Sequence, residues 1–452
     1  MSSTVAAIST PLGNGGIGVI RISGDNAVMV ADAVFKSVSG KKISGLKGYT
    51  ALFGAVQIGG EQIDEAVALF YKGPKSYTGE DVVEISVHGG TYVLKKVLRA
   101  ILNAGAEPAG PGEFTKRAFL NGKMDLTKAE SVMNVISATG EAELKIASGA
   151  LKGNISKAID DITANLLKAA ASISAFSDYP DEDMPELKPE AFGTMLAECR
   201  LQLNKMLESF DAGRILREGI ETVIVGKPNV GKSTLMNLLS GHNRSIVTSV
   251  AGTTRDVIED TVYVGEVRLN LADTAGIHKT DDEVENAGVN LARQRLNSAQ
   301  LVLAVLDSSN ELDSDDINLI NSLKGKNAVI IYNKSDISNG KVKMPDTNIP
   351  TVTVSAKNGT GVEELTAVIE EITRVKNLDY NSAVLANERQ RALAEVALSA
   401  VNAAIDALSG GQTVDAVGVC IDDALAALFT ITGKRVTNEV ADEVFRRFCV
   451  GK

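Results

Sequence analysis

Residues 226 to 234 read Gly226-Lys227-Pro228-Asn229-Val230-Gly231-Lys232-Ser233-Thr234, directly after the apolar, β-branched run Thr222-Val223-Ile224-Val225. The run predicts a buried parallel strand, and the residues after Lys232 predict a helix. Gly226 and Gly231 then bracket a strand-to-helix turn. In such a loop backbone N–H groups converge on an anion at the helix N-terminus, and the missing β-carbons let phosphates come close. Lys232 would reach the β and γ oxygens, and Ser233 would ligate magnesium. A glycine-rich turn before a helix can imitate this pattern, so the loop alone does not fix the ligand.

Further signatures follow in order. Asp273-Thr274-Ala275-Gly276 comes after the run Val267 to Ala272, so its carboxylate is expected at a strand's C-terminal end, holding the metal through water. Asn333-Lys334-Ser335-Asp336 closes the apolar run Ala328 to Tyr332. Only a carboxylate accepts from both the ring N–H and the exocyclic amine of guanine, which makes Asp336 the base selector. Adenine leaves those acceptors unpaired and is rejected by about 10⁴-fold or more. Ser355-Ala356-Lys357, after Thr351 to Val354, would put a backbone N–H near the guanine carbonyl. Gly252-Thr253-Thr254-Arg255-Asp256 reads as a first switch, with Thr254 completing the magnesium shell only when the γ-phosphate is present. The preceding Thr248, Ser249, Val250 and Ala251 are counted with that loop. Together these motifs point to GTP.

At 452 residues the chain predicts about three domains. Its composition, 44% hydrophobic and 23% charged, is that of a soluble protein. No uninterrupted apolar run reaches the roughly 18 residues of a membrane span. The first basic residue is Arg21 and glycines punctuate positions 13 to 18, so no secretory signal is expected. Cys199, Cys420 and Cys449 have no paired spacing, which suits a reducing cytoplasm and argues against a disulfide framework. His88, His242 and His278 are scattered, which argues against zinc. A net charge of −11 gives no overall attraction for polyanions, and 4% aromatics without Trp leave few platforms for stacking bases. Contact with RNA would depend on a local basic patch or a partner protein.

Residues 1–118 alternate β-type runs (Val5 to Ser9, Val19 to Ser23, Ala66 to Tyr71, Val82 to Val87) with one helical stretch, Thr91 to Ala104, and predict an α+β domain. Residues 119–216 have helical spacing, broken at Tyr179 to Pro185. The α/β GTPase unit covers 217–374, and helices return in 375–452, over Ala383 to Leu408 and Asp415 to Phe448. Helical segments of similar composition on both sides suggest a GTPase inserted into a helical domain; a linear string of domains is the alternative. Gly13-Asn14-Gly15-Gly16-Ile17-Gly18 matches the dinucleotide fingerprint literally, but Val19 to Ser23 is β-type, so the phosphate-binding helix is missing. It reads as a glycine-rich hairpin or loop.

With these motifs in hand, the chain resembles the bacterial tRNA-modification GTPases called MnmE or TrmE. The resemblance rests on Thr10-Pro11 with the glycine cluster and Arg21-Ile22-Ser23-Gly24, Tyr77-Thr78-Gly79-Glu80-Asp81, His88-Gly89-Gly90, and Pro111-Gly112-Glu113-Phe114-Thr115. The inserted GTPase and the terminal Phe448-Cys449-Val450-Gly451-Lys452 complete it. It implies a homodimer held by the N-terminal domains, with the GTPase domains meeting face to face. It also implies an FAD-binding partner, MnmG, with which C5 of the wobble uridine of certain tRNAs is modified, using a tetrahydrofolate in 5-formyl or methylene form. By matching motifs, Arg21, Glu84, Lys123 and Lys452 are its folate-binding positions. Glu84 would accept from the pterin amidine edge. Read without the resemblance, each is a solvated surface charge. Cys449 has two readings, a thiol near the modification chemistry or an apolar anchor for the tail.

Ile277 occupies the position where many small GTPases carry the glutamine that orients water. The resemblance assigns that role to Glu285, with Glu283 a near alternative, and Lys232 as the second catalytic group. It also implies potassium in place of an arginine finger, coordinated by Asn229, Thr248, Val250 and Thr253. Two rivals share parts of this pattern. A ribosome-assembly switch would usually append an RNA module, yet residues 376–452 contain no Gly-x-x-Gly loop of the KH type. A folate-dependent one-carbon transferase would use GTP only for regulation.

Overall fold

β-Branched and alternating runs in the first 108 residues build a seven-stranded sheet. The elements are β1 (Val5–Ile8), β2 (Gly15–Ser23), α1 (Ala27–Val34), β3 (Phe35–Ser37), β4 (Thr50–Ile58), β5 (Glu61–Tyr71), β6 (Val82–Gly89), α2 (Thr91–Asn103) and β7 (Glu107–Pro108). Strand order is β3-β4-β5-β6-β2-β1-β7. The structure is a computed structural model and describes residues 3–178, 189–242, 260–271, 299–338 and 345–452. One sheet face buries Ile20, Ile22, Ala68, Phe70, Val83 and Ile85 with Val30 and Ala31 of α1 and Leu94, Val97 and Ile101 of α2. The other face carries the residues between them, Arg21 and Glu84 included, because side chains alternate along a strand.

The glycine cluster at 13–18 leads into β2 within an antiparallel β1–β2 hairpin (Ile8↔Ile20), and the pairing of β2 with β6 has a register irregularity between Gly15 and Ile17. No helix follows until Ala27, so it is a hairpin and not a dinucleotide loop. The sequence reading misses α1 and β4. Helix α1 has only eight residues, too few to establish a period. In β4, Gly54 interrupts the run at a point where an added β-carbon would lie 2.1 Å from the Lys36 carbonyl oxygen.

Helices α3 (Glu113–Leu120), α4 (Leu126–Ser137), α5 (Glu141–Lys152), α6 (Asn154–Asp178) and α7 (Pro189–Glu218) precede the second sheet. That sheet and its helices comprise β8 (Ile220–Val225), α8 (Lys232–His242), β9 (Asp260–Val264), β10 (Val267–Leu271), β11 (Leu301–Asp307), α9 (Ser314–Ser322), β12 (Ala328–Asn333), β13 (Thr351–Thr353) and α10 (Val362–Ile372). The chain ends in α11 (Glu388–Ser409), α12 (Val414–Thr432) and α13 (Asn438–Arg446). The order β13-β12-β11-β8-β10-β9 is parallel except for the β10–β9 pair. Leu301 to Leu306 are fully buried, which is why β11 reads as an unbroken apolar run: a doubly covered parallel strand has no polar face. Ligands in such folds bind outside the carboxyl ends of the strands, where the loops after β8, β12 and β13 lie.

By its internal contacts the chain divides into two compact units, residues 1–136, 150–203 and 392–452 in one, and 137–149 with 204–391 in the other. In the first unit, Ile155, Ile159, Ile162, Leu166, Ala169 and Ile173 form the buried stripe of α6, which packs against α12. Helices from before and after the nucleotide-binding fold therefore share one bundle, and that fold is inserted into the helical domain rather than strung beside it. The stretch Asp415 to Phe448, expected as one helical region, is split at Gly433. That residue has φ +84°, and an added β-carbon would lie 2.8 Å from Phe119 Cε2. By length and composition α11 could cross a membrane, which the sequence reading passed over because Glu395 and Asp406 interrupt it. Its buried residues Gln390, Ala394, Ala397, Val401, Ala404 and Ala407 form one stripe at helical spacing. The break at Tyr179 to Pro185 lies outside the described residues.

Candidate functional site

The phosphate loop leaves β8 and turns into α8 through three left-handed or glycine-only conformations, Gly226 (φ +148°), Asn229 (φ +63°) and Gly231 (φ +97°). A β-carbon at Gly226 would lie 2.2 Å from the Val305 carbonyl oxygen, and one at Gly231 would lie 2.3 Å from Asn333 Nδ2. Both glycines are therefore required by close approach. Lys232 opens α8, and its Nζ donates to the carbonyls of Gly226 and Lys227, each at 2.7 Å. It forms no ion pair among the described residues, and burial pulls its pKa below the usual lysine value. A half-buried ammonium held by backbone carbonyls at a helix N-terminus is suited to an anion. Ser233 and Thr234 are exposed on the first turn of α8, and Val230 is buried.

The base-recognition loops are braced onto this one. Asn333, 2% exposed, donates Nδ2–H to the Val230 carbonyl at 2.8 Å and accepts from the Ala356 N–H at 2.9 Å. Lys334 (φ +65°) reaches back to Asp307 Oδ2 at 2.7 Å. Burial would raise the Asp307 pKa, but the hydrogen bonds from Lys334 and Ser309 outweigh it and hold the carboxyl below its ordinary value. Asp336 is exposed and accepts from Ser355 Oγ at 2.7 Å. Ala356 spends its N–H on Asn333, and the neighbouring Lys357 is exposed. Sequence reasoning passed over Asp307. The signal was there: a carboxylate ending the apolar run Leu301 to Leu306, in register with Asn333 on β12.

Thr248, Ser249, Val250, Ala251, Gly252, Thr253, Thr254, Asp273, Thr274, Ala275, Gly276 and Glu285 lie outside the described residues. Among the described residues no group of three or more His, Cys, Asp or Glu is arranged to hold a metal.

On the N-terminal sheet, Arg21 and Glu84 are directly opposite on β2 and β6. Arg21 Nε and Nη2 both lie 2.8 Å from Glu84 Oε1. The guanidinium sits over the rings of Tyr77 and Phe114, 5.4 and 5.3 Å from their centroids. Glu84 Oε2 has a 3.4 Å contact with Tyr71 OH, and burial followed by the Glu84 charge raises the Tyr71 pKa. Lys123 Nζ donates to the Pro74 carbonyl at 2.8 Å, so its ammonium is not on the Arg21–Glu84 pair. The C-terminal tail docks on the same domain. Val450 bridges Pro111, Ser9 Oγ donates to the Gly451 carbonyl at 3.0 Å, and the Phe114 N–H donates to the Lys452 carbonyl at 3.1 Å. Cys449 is exposed, so no buried thiol anchors the tail; Phe448 and Gly451 are the buried residues there. The charge on Glu84 and the aromatic-lined Arg21 suit an anionic ligand with a planar amidine edge.

A second pairing explains two sequence motifs that resemblance alone had flagged. Arg117, 8% exposed, joins Glu80 (Nη1–Oε2, 3.0 Å) and Glu113 (Nε–Oε1, 3.0 Å), while Ser23 Oγ donates to Glu80 Oε2 at 2.8 Å. This buried network fastens the Tyr77-to-Asp81 loop to α3.

The fold and the braced loops define a P-loop protein of the guanine-nucleotide-binding class, joined to an α+β domain and a helical domain. Residues 4–123 match the family model described as the GTP-binding protein TrmE N-terminus, and residues 126–449 that of the MnmE helical domain. The tRNA modification GTPase MnmE of Clostridioides difficile (strain 630) is 40% identical over 457 residues, covering 100% of both chains. That of Carboxydothermus hydrogenoformans is 40% identical over 460 residues, again covering 100% of both. Among solved structures, the G domain of the T. maritima FeoB iron transporter is 26% identical, covering 34% of this chain and 98% of that one, with a TM-score of 0.25. The chain belongs to the MnmE/TrmE family.

Proposed function

We propose that this protein hydrolyses GTP as part of a tRNA-modification complex in the cytoplasm. As a homodimer working with the FAD-binding MnmG subunit, it would install an aminomethyl-type group, such as carboxymethylaminomethyl, on C5 of the wobble uridine. The supporting observation is the brace through Asn333, which sets the loop bearing Asp336 against the loop bearing Lys232. That arrangement suits a ligand with guanine at one end and polyphosphate at the other. Domains of 1–118, 119–216, 217–374 and 375–452 would divide this work, a tetrahydrofolate derivative being held by Arg21 and Glu84 of the first together with Lys123 and Lys452.

In hydrolysis, Lys232 would neutralise charge on the β and γ oxygens, and Glu285 would orient the attacking water. Magnesium would be held by Ser233 and Thr254. Potassium would be held by Asn229, Thr248, Val250 and Thr253; Asn229 has a left-handed backbone and is exposed. Bound there, the cations would supply positive charge to the phosphates.

The experiment is nucleoside analysis of tRNA from a deletion strain, paired with hydrolysis by the purified full-length chain in potassium and in sodium. The expected result is loss of the C5 substituent, restored by the wild-type gene and not by Lys232→Ala, with turnover faster in potassium. Unaltered wobble uridine rejects the modification role, and equal rates in both salts reject the potassium site.

A further inference from the structure

Lys227, the second residue of the phosphate loop, is tied to the N-terminus of α9. Its Nζ lies 2.9 Å from Asp316 Oδ2 and also contacts Asp313 Oδ1. Those two carboxylates are the capping box of α9. Asp313 accepts from the N–H groups of Asp315 and Asp316 at 2.9 and 3.2 Å, and Asp316 Oδ2 accepts from the Asp313 N–H at 3.2 Å. Asp316 is 8% exposed. The main-chain carbonyl of the same Lys227 is one of the two that hold Lys232 Nζ, at 2.7 Å. The other belongs to Gly226, whose α-carbon has no room for a side chain against Val305.

We infer that Lys227 and Asp316 are positioning residues for Lys232. The ion pair fixes the Lys227 backbone, that backbone fixes where the Lys232 ammonium rests, and the ammonium is then delivered to the phosphates without a search. The capping box presents two carboxylates already held by backbone N–H groups, so the Lys227 side chain meets a rigid partner rather than a mobile one. The inference rests on the reading of Lys232 as the phosphate-binding cation. An error in its placement matters most in the transition state, where the charge on the transferred oxygens is largest, so kcat falls more than KM rises.

The test uses the full-length chain as wild type, Lys227→Met, Lys227→Arg and Asp316→Asn. For each, GTP hydrolysis is resolved into kcat and KM, GDP affinity is measured with a fluorescent analogue, and thermal melting is recorded. The expected result for Lys227→Met is kcat lower by about tenfold with KM within about twofold of wild type, because small misplacement of a charged group costs one to two orders of magnitude. Lys227→Arg, which keeps a cation for the capping box, should recover most of that loss, while Asp316→Asn matches Lys227→Met. Wild-type kcat in Lys227→Met overturns the inference, as does an equal loss in Lys227→Arg, or a loss in kcat that merely tracks a lower melting temperature. Should Asp316→Asn fail to fold, the Met and Arg pair at the more exposed Lys227 still decides. Failure of the wild-type protein to bind the GDP analogue would instead overturn the proposed function.

Discussion

The Asn333 side chain donates to the Val230 carbonyl at 2.8 Å and accepts from the Ala356 amide at 2.9 Å, so one buried amide joins the phosphate loop, the base-selecting loop and the loop after β13. Asn333→Ala strips both partners at once. It leaves a buried carbonyl and a buried N–H unpaired, each at a cost of about 1–3 kcal/mol. The expected outcome is a fall in GDP affinity of about 100-fold or more and a lower urea midpoint with an unchanged slope, read by fluorescence titration and denaturation. Wild-type affinity in the variant would show that the loops hold their geometry without it.

Among the described residues Asp336 forms no ion pair and accepts from Ser355 Oγ at 2.7 Å, which orients the carboxylate while leaving it exposed. Asp336→Asn replaces one acceptor oxygen by a donor. The expected outcome is a loss of GTP hydrolysis of about 10³-fold or more and a gain with xanthosine triphosphate, whose extra ring carbonyl matches the new donor. Competition between the two nucleotides measures it, and retained guanosine preference would place the selector elsewhere.

How much of this was legible follows from what the local pattern can carry. β8 and β12 were readable because a strand buried on both faces must be apolar throughout, and the motifs that end them stand where those runs stop; β11, just as apolar, carries no such motif and was passed over. The nucleotide fold's position inside the helical domain was suggested by composition but needed the packing of α6 on α12 to decide it. The braces were invisible. Lys227 with Asp316, Lys334 with Asp307, and Arg117 with Glu80 join residues far apart in the chain, and each member alone looks like a surface charge. Helix α1 and strand β4 were lost for a different reason: the first is too short for its period to register, and the second is interrupted by a glycine required by a neighbouring strand.

The tail offers a test that separates the N-terminal domain from the nucleotide site. Gly451 has φ +96°, and an added β-carbon would lie 2.2 Å from the Ile8 carbonyl oxygen. Gly451→Ala therefore combines left-handed strain of roughly 1–2 kcal/mol with a backbone clash. The tail should undock, taking the Lys452 carbonyl from the Phe114 amide. Carboxypeptidase release of Lys452 is expected to rise by about tenfold or more, since 1.4 kcal/mol is tenfold in population. Binding of labelled tetrahydrofolate should weaken while GDP affinity stays at the wild-type value. An unchanged release rate would mean that the tail contacts do not hold it in solution.

The Cys199 and Cys449 thiols should behave very differently. Burial, followed by the charge of Glu198, pushes the Cys199 thiol up to about 11, whereas Cys449 is exposed. Because the thiolate is the reactive form, a disulfide reagent at pH 8 should modify Cys449 first and reach Cys199 only after denaturant is added. The same displacement has a sign for stability. The native thiol keeps its proton up to about 11, while in the unfolded chain it ionises near 9.0, so stability is lost as pH rises through that window. Cys199→Ser should remove this part of the alkaline slope in a series of urea melts. Rapid labelling of Cys199 in the native protein would show that the helix packing around it opens more readily than its burial implies.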